Sequence, residues 1–270
     1  MIIRVGKLFL LVAVSLGAVV DSLSQDRSGS LTPLQFAIEQ QRTRLSSADV
    51  EERRDAVSRL GAMRHPSASR AVLPGLQDAE SMVRATSIGA VLSLPPDESA
   101  ASLLPLLNDK DVLVRREAAY ALGKTKSHAA VPLLIDLLRF DKVDEVRGAA
   151  AVALGAIGNE AAVIPLLAVL TGQPAQIKKQ KAKPEQNPFV LRSAARALGQ
   201  IGTRASVPAL IAALTNEQSE DDVRREAAIA LGRIGDQSAL PALRNAMSAR
   251  DPHLASAADV AIKTILRASR

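Results

Sequence analysis

A ten-residue frame recurs along this chain at nearly constant spacing, and no other feature constrains the fold so tightly. In one copy it reads Val114-Arg115-Arg116-Glu117-Ala118-Ala119-Tyr120-Ala121-Leu122-Gly123. It returns at residues 146–155, 190–199 (with Leu191 in place of the arginine) and 223–232. Weaker copies begin at Glu52-Arg53, Val83-Arg84 and His253-Leu254. From Arg53 the arginine position advances by 31, 31, 32, 44, 33 and 30 residues, so a single insertion interrupts a regular array. Self-similarity at such a period marks stacked units, each burying an apolar face against its neighbours alone.

Each unit reads as two helices. Val114, Ala118, Ala121 and Leu122 fall on one stripe of a 3.6-residue period. A second glycine, Gly158, Gly202 or Gly235, stands three residues past the Leu-Gly pair and suits a left-handed helix stop. An apolar segment with an early proline follows, as in Val131-Pro132-Leu133-Leu134 and Val207-Pro208-Ala209-Leu210. Proline near a helix start removes an N–H that needs no helical partner. Asp111, Asp144, Asp221 and Asp251 precede the next frame, where a carboxylate caps a helix. Composition agrees. Aromatic residues are 2% of the chain, four Phe and one Tyr with no Trp, so the core is Ala, Leu, Val and Ile. Small and aliphatic side chains suit closely packed helices better than a β-sandwich.

The pattern resembles HEAT repeats of the short, phycobilisome-lyase-like type. The resemblance is carried by Asp111-x-x-Val114-Arg115, the Ala-Ala-x-Ala-Leu-Gly run and the downstream Ala-x-x-Pro-x-Leu. It covers roughly residues 50–268, and residues 31–48 read as a degenerate first helix. It implies an all-α, armadillo/HEAT-like right-handed superhelix, a solenoid of about seven helix pairs. The domain reading is a signal segment at 1–24, an N-terminal segment at 25–48 and a solenoid at 49–268, interrupted by a basic loop at 172–188.

In such families the repeated arginine pairs with an Asp of a neighbouring repeat, which here implies a structural ladder of Arg53, Arg84, Arg115, Arg147 and Arg224 with Asp111, Asp144 and Asp221. Half-buried charges at a repeat seam need partners. Residues one and five after the ladder arginine point away from that seam. In order they are Arg54 and Ser58, Ala85 and Gly89, Arg116 and Tyr120, Gly148 and Val152, Arg192 and Arg196, Arg225 and Ile229, and Ala255 and Asp259. Arg116, Tyr120, Arg192, Arg196 and Arg225, extended by Arg233, are candidate partner-binding residues on the concave face, partly offset by Glu117 and Glu226. Lys178, Lys179, Lys181 and Lys183 of the insertion join them, bracketed by Pro174, Pro184 and Pro188 in a stretch of low hydrophobicity.

Most catalytic chemistry lacks its residues. With no cysteine there is no thiol nucleophile, disulfide or Cys-ligated metal. His65, His128 and His253 lie in different repeats and do not form the His-Glu pairs of the di-iron hydroxylases that share the repeat type. No phosphate-cradling glycine loop and no nucleophile elbow is present. The expectation is a chain that is not an enzyme and takes no cofactor or metal.

Residues 1–7 are a basic leader, and residues 8–20 are uncharged and apolar or small. That run is shorter than the ~20 residues a bilayer span takes and reads as a secretory signal. An uncleaved membrane anchor is the alternative. Removing residues 1–24 takes away Arg4, Lys7 and Asp21 and lowers the net charge from +6 to +5. Together these features predict an exported, non-enzymatic scaffold that binds a protein partner through the concave helix face and the basic loop. The alternative is an anion-binding module for an acidic polymer or membrane headgroups, using the arginine stripe. Nucleic acid is a poor third, because export and the lack of stacking aromatics oppose it.

Overall fold

The computed structural model describes residues 31–172 and 187–268. The leader read in residues 1–24 and the four lysines of the insertion lie outside the described residues. Two compact units divide the chain, Met1–Gln40 and Gln41–Arg270. In the first, helix α1 (Pro33–Arg44) begins. Its start is closed reciprocally: the Thr32 N–H donates to Gln35 Oε1 at 2.9 Å and the Gln35 N–H to Thr32 Oγ1 at 3.3 Å. Such a capping box satisfies two amides that the helix cannot.

In the second unit, α2 (Val50–Ala62), α3 (Pro66–Val72), α4 (Ser81–Ala90), α5 (Pro96–Leu103), α6 (Val112–Thr125), α7 (Val131–Phe140) and α8 (Asp144–Ile157) follow one another. They continue as α9 (Val163–Thr171), α10 (Pro188–Ile201), α11 (Val207–Thr215), α12 (Asp221–Ile234), α13 (Leu240–Ala246) and α14 (Pro252–Ala268). No strand occurs among the described residues. The even-numbered helices carry the repeated frame, and each packs against the next frame helix along the array. The odd-numbered helices from α3 to α13 cover their other side. Pro132, Pro208 and Pro241 sit in the opening turns of α7, α11 and α13, the position expected from the sequence.

Two features of the frame explain the stacking. Its leucines, Leu60, Leu122, Leu154, Leu198 and Leu231, are fully buried between the layers. Its glycines let neighbouring frame helices touch backbone to backbone. A Cβ built on Gly123 would stand 2.8 Å from Ala153 Cα, one on Gly199 2.6 Å from Ala230 Cα, and one on Gly232 2.8 Å from Ala261 Cα. No real Cβ sits that close, so the Leu-Gly signature marks close helix approach. The stop comes three residues later, where Gly158, Gly202 and Gly235 take φ of 75°, 79° and 78°. Arg64 and Lys126 hold the same left-handed position at φ 47° and 55°.

Candidate functional site

Polar side chains gather on two edges of the array, and they do different work in its two halves. One edge is formed by the joints that lead into each frame helix. There the Arg53 Nε and Nη2 donate to Asp78 at 2.7 and 2.9 Å. Its remaining nitrogen, Nη1, donates back to the carbonyls of Ser47 and Ala48 in the joint before its own helix. Arg84 repeats this with Asp109, at 2.8 and 2.7 Å, and with the Asp78 and Ala79 carbonyls. Arg115 repeats it with Asp141, at 2.7 and 3.2 Å, and with the Asp109 and Lys110 carbonyls. Each guanidinium thus ties two successive joints together in a bidentate fork.

The acids of this ladder differ from the expected ones. Asp111 caps α6 by accepting from the Leu113 N–H at 2.8 Å. Asp144 and Asp221 sit in the first turn of their own helices and pair with Arg147 and Arg224 three residues on, at 2.6 and 3.0 Å. The inter-repeat partners are Asp78, Asp109 and Asp141, two or three residues earlier in each joint. The reason is reach: an arginine that also chelates its own joint extends along the edge and meets the first acid of the next joint. A signal for this was present, since Asp78, Asp109 and Asp141 step by 31 and 32 residues, as Arg84, Arg115 and Arg147 do.

Burial makes these pairs matter. The side chains of Arg84 and Asp109 are 6% and 10% exposed. Hydrogen bonding from Arg53 holds the Asp78 carboxyl below the usual carboxylate range. At Asp109, burial pushes the carboxyl up, but the Arg84 guanidinium and the Asp111 N–H more than offset it and leave it lowered. The guanidiniums of Arg53 and Arg84 are raised in turn by the same hydrogen bonds.

At the insertion the ladder changes form. Leu191 stands where an arginine is expected, and α8 and α10 are joined by other means. Asn187 caps α10 by accepting from the Phe189 and Val190 N–H groups, and its own amide donates to Asp144. The Phe189 ring lies where a Gly148 side chain would be, so only glycine leaves it room. Arg192 rests over that ring, 5.7 Å from its centroid.

The second edge is the open face of the frame helices, where the candidate binding residues were expected. Tyr120 is half-buried there. Arg116 pairs with Glu117 at 2.9 Å. Arg192 pairs with Asp222 across to α12 at 2.9 Å, and Arg196 reaches Glu226 on the same helix. Arg225 also reaches Asp222. The Glu226 partner raises the Arg196 guanidinium despite its partial burial. The stripe is therefore a network of ion pairs rather than a bare cationic track, and Asp222 is the member that sequence reasoning missed. Arg233 is exposed, with no carboxylate in ion-pair reach among the described residues.

A groove of about 460 Å³, which Arg225 and Arg233 both line, runs between α12 and α14. Among the described residues no cluster of His, Asp and Glu could hold a metal ion, and no helix is long and apolar enough to cross a membrane.

A family model for HEAT repeats matches residues 100–183 and 179–263. Over 88 residues the chain is 38% identical to the bilin biosynthesis protein PecE of Nostoc sp., a match covering 28% of this chain and 35% of that relative. The complex of CpcE and CpcF of phycocyanin lyase, also from Nostoc sp., is similar over 91% of both chains, with 25% identity and a TM-score of 0.51. YibA of Escherichia coli superposes with a TM-score of 0.59 at 22% identity, over 86% of this chain and 82% of that one, which shows the fold. These matches correct the expectation that the chain is no enzyme: repeats of this pattern, at recognisable identity, belong to a bilin biosynthesis protein and to a lyase.

Proposed function

This chain belongs to the HEAT-repeat family, and we propose that it is a protein-binding scaffold whose partner lies along the open face of the frame helices. The observation that carries this reading is the likeness, over 91% of the chain, to a structure in which two lyase proteins are held as a complex. The physics of the array supports it. Stacked helix pairs build long shallow faces, which suit an extended or helical partner. The proposal also places the chain outside the cytoplasm, on the strength of the basic leader and the apolar run behind it. The test is capture from the source cell envelope on immobilised residues 25–270, with elution in salt steps. A single protein retained beyond about 0.3 M salt, where screening is within a few ångströms, supports the reading. Release of everything at low salt, with acidic glycans or lipids in the eluate, overturns it.

A second reading makes the chain part of a lyase, and the identity with a bilin biosynthesis protein favours it. The purified chain, alone or with its captured partner, then changes the visible absorption of an added bilin. An unchanged spectrum in both cases sinks this reading and leaves the scaffold one standing.

A further inference from the structure

The groove between α12 and α14 differs from the rest of the open face in having no acid: no Asp or Glu lines it, whereas Arg225, Arg233 and His253 do. Its middle is apolar, formed by Ile229, Ala257 and Val260, the last 58% exposed. The positive charge at both ends is real. At one end a single carboxylate, Asp222, is shared by Arg192 and Arg225, so one cation is left over. At the other, Arg233 has no carboxylate in reach among the described residues.

Dimensions narrow the occupant. The ion pairs Arg192–Asp222 and Arg196–Glu226 climb in step, so neighbouring frame helices run parallel, and Gly232 meets Ala261 alongside. Arg225 and Arg233 are two turns apart on α12, which at ~1.5 Å per residue is about 12 Å. An extended chain covers ~13 Å in four residues, and its residues i, i+2 and i+4 line one face. A face with acids at its ends and an apolar residue between them therefore matches the groove in register.

We propose that this groove binds an extended segment of the partner protein with the pattern acid-x-apolar-x-acid, the acids meeting Arg225 and Arg233 and the apolar side chain lying on Val260 and Ile229. This rests on the protein-binding reading above and gives that partner its chemistry.

Fluorescence anisotropy with the whole chain tests it. The probe is a labelled peptide carrying glutamate-serine-leucine-serine-glutamate, set against one with lysines for the glutamates and one with the leucine moved by one position. The first is expected to bind at least about tenfold more tightly than either control. Arg233→Glu and Val260→Asp, both at exposed positions, are expected to remove that preference, while Lys110→Glu, an equal charge change on a distant joint, leaves it intact. Equal loss in all three variants, or no discrimination between the peptides, overturns the groove. So does undiminished capture of the partner by Arg233→Glu and Val260→Asp, an outcome that leaves the scaffold reading untouched. Failure of the wild-type chain to capture any partner, with the peptide preference intact, would instead break the scaffold reading alone.

Discussion

From α2 to α8 the array is held along its joints, and from α10 to α14 along its open face. In the first half, Arg53, Arg84 and Arg115 bridge consecutive joints through Asp78, Asp109 and Asp141. In the second, the residues six before the frame position, as the Gly199–Ala230 and Gly232–Ala261 contacts set it, are Gln218 and Ala249, and cross-helix pairing moves to Arg192–Asp222 and Arg196–Glu226. Both halves share the Gly–Ala contact, present at Gly61–Ala90, Gly123–Ala153 and Gly155–Ala197 as well as at Gly199–Ala230 and Gly232–Ala261, while the α4–α6 step has Leu92 at the glycine's position. The apolar seam sets the stack. Its polar fastening is interchangeable and has been placed where it serves each half.

The comparison breaks most easily at the seam. Gly123→Val and Gly199→Val both drive a branched side chain into the next helix backbone, and each is expected to destabilise by about 3 kcal/mol, the upper end for overpacking. Because repeat arrays need not unfold in one step, hydrogen exchange resolved by helix is the right measurement. Similar losses at the two sites support a common seam, and a marked inequality refutes it.

Asp109→Asn comes next. It leaves the well-buried Arg84 guanidinium facing an amide, with an expected cost of about 2 kcal/mol confined to α4 and α6, discounted from a fully buried pair because the joints touch solvent. Acid probes the same bonds. The Asp78 and Asp109 carboxyls are held below their ordinary value of 3.8, so their contribution is complete above that value and is lost as pH falls through the lower folded one. Exchange protection in α2–α6 should fall below about pH 4, less steeply in Asp109→Asn. An identical acid profile in that variant would remove the ladder from the account.

Glu226→Gln is the mildest change, below about 1 kcal/mol, since Arg196 is nearly half-exposed and stays hydrated. A larger loss would mean that the open-face pairs brace the second half as strongly as the ladder braces the first.

Much of this was legible beforehand for one reason: repetition averages away the noise of a single copy. The frame, its buried leucine and the left-handed stop at Gly158, Gly202 and Gly235 recur where the spacing put them, whereas the arginine bridges repeats at Arg53, Arg84 and Arg115 and pairs within its own helix at Arg147 and Arg224. The misreadings arose where a joint offers two candidates. Asp109 and Asp111 are both acidic and stand in the same joint, and choosing between them needs the path of the Arg84 side chain through space. The packing role of Gly123 could not be read, because its contact with Ala153 comes from the next unit and leaves no mark within its own. The ion pairing of the stripe was half visible in Glu117 and Glu226, whereas Asp222 reaches both Arg192, thirty residues away, and Arg225, three away. Chemistry was the least legible. The absence of catalytic motifs argued against an enzyme, yet related repeats serve in a lyase, and nothing in a scaffold's periodicity reports what it is assembled with.

A joint that carries a ladder acid has a fixed phase. Its first residue must meet a guanidinium held by the joint before, so one added residue there would unseat two neighbours. Where the acid is gone that demand lapses, and a longer connection costs little more than its loop-closure entropy, which grows slowly with length. The one long step in the array, 44 residues instead of about 31, ends at the copy that has Leu191 in place of the arginine. By the same logic the joints at 216–220 and 247–250 are the other places where this molecule can accept new sequence. A tag, a binding loop or a second domain grafted there leaves the array in register, and the same graft at 78–80 or 109–111 does not.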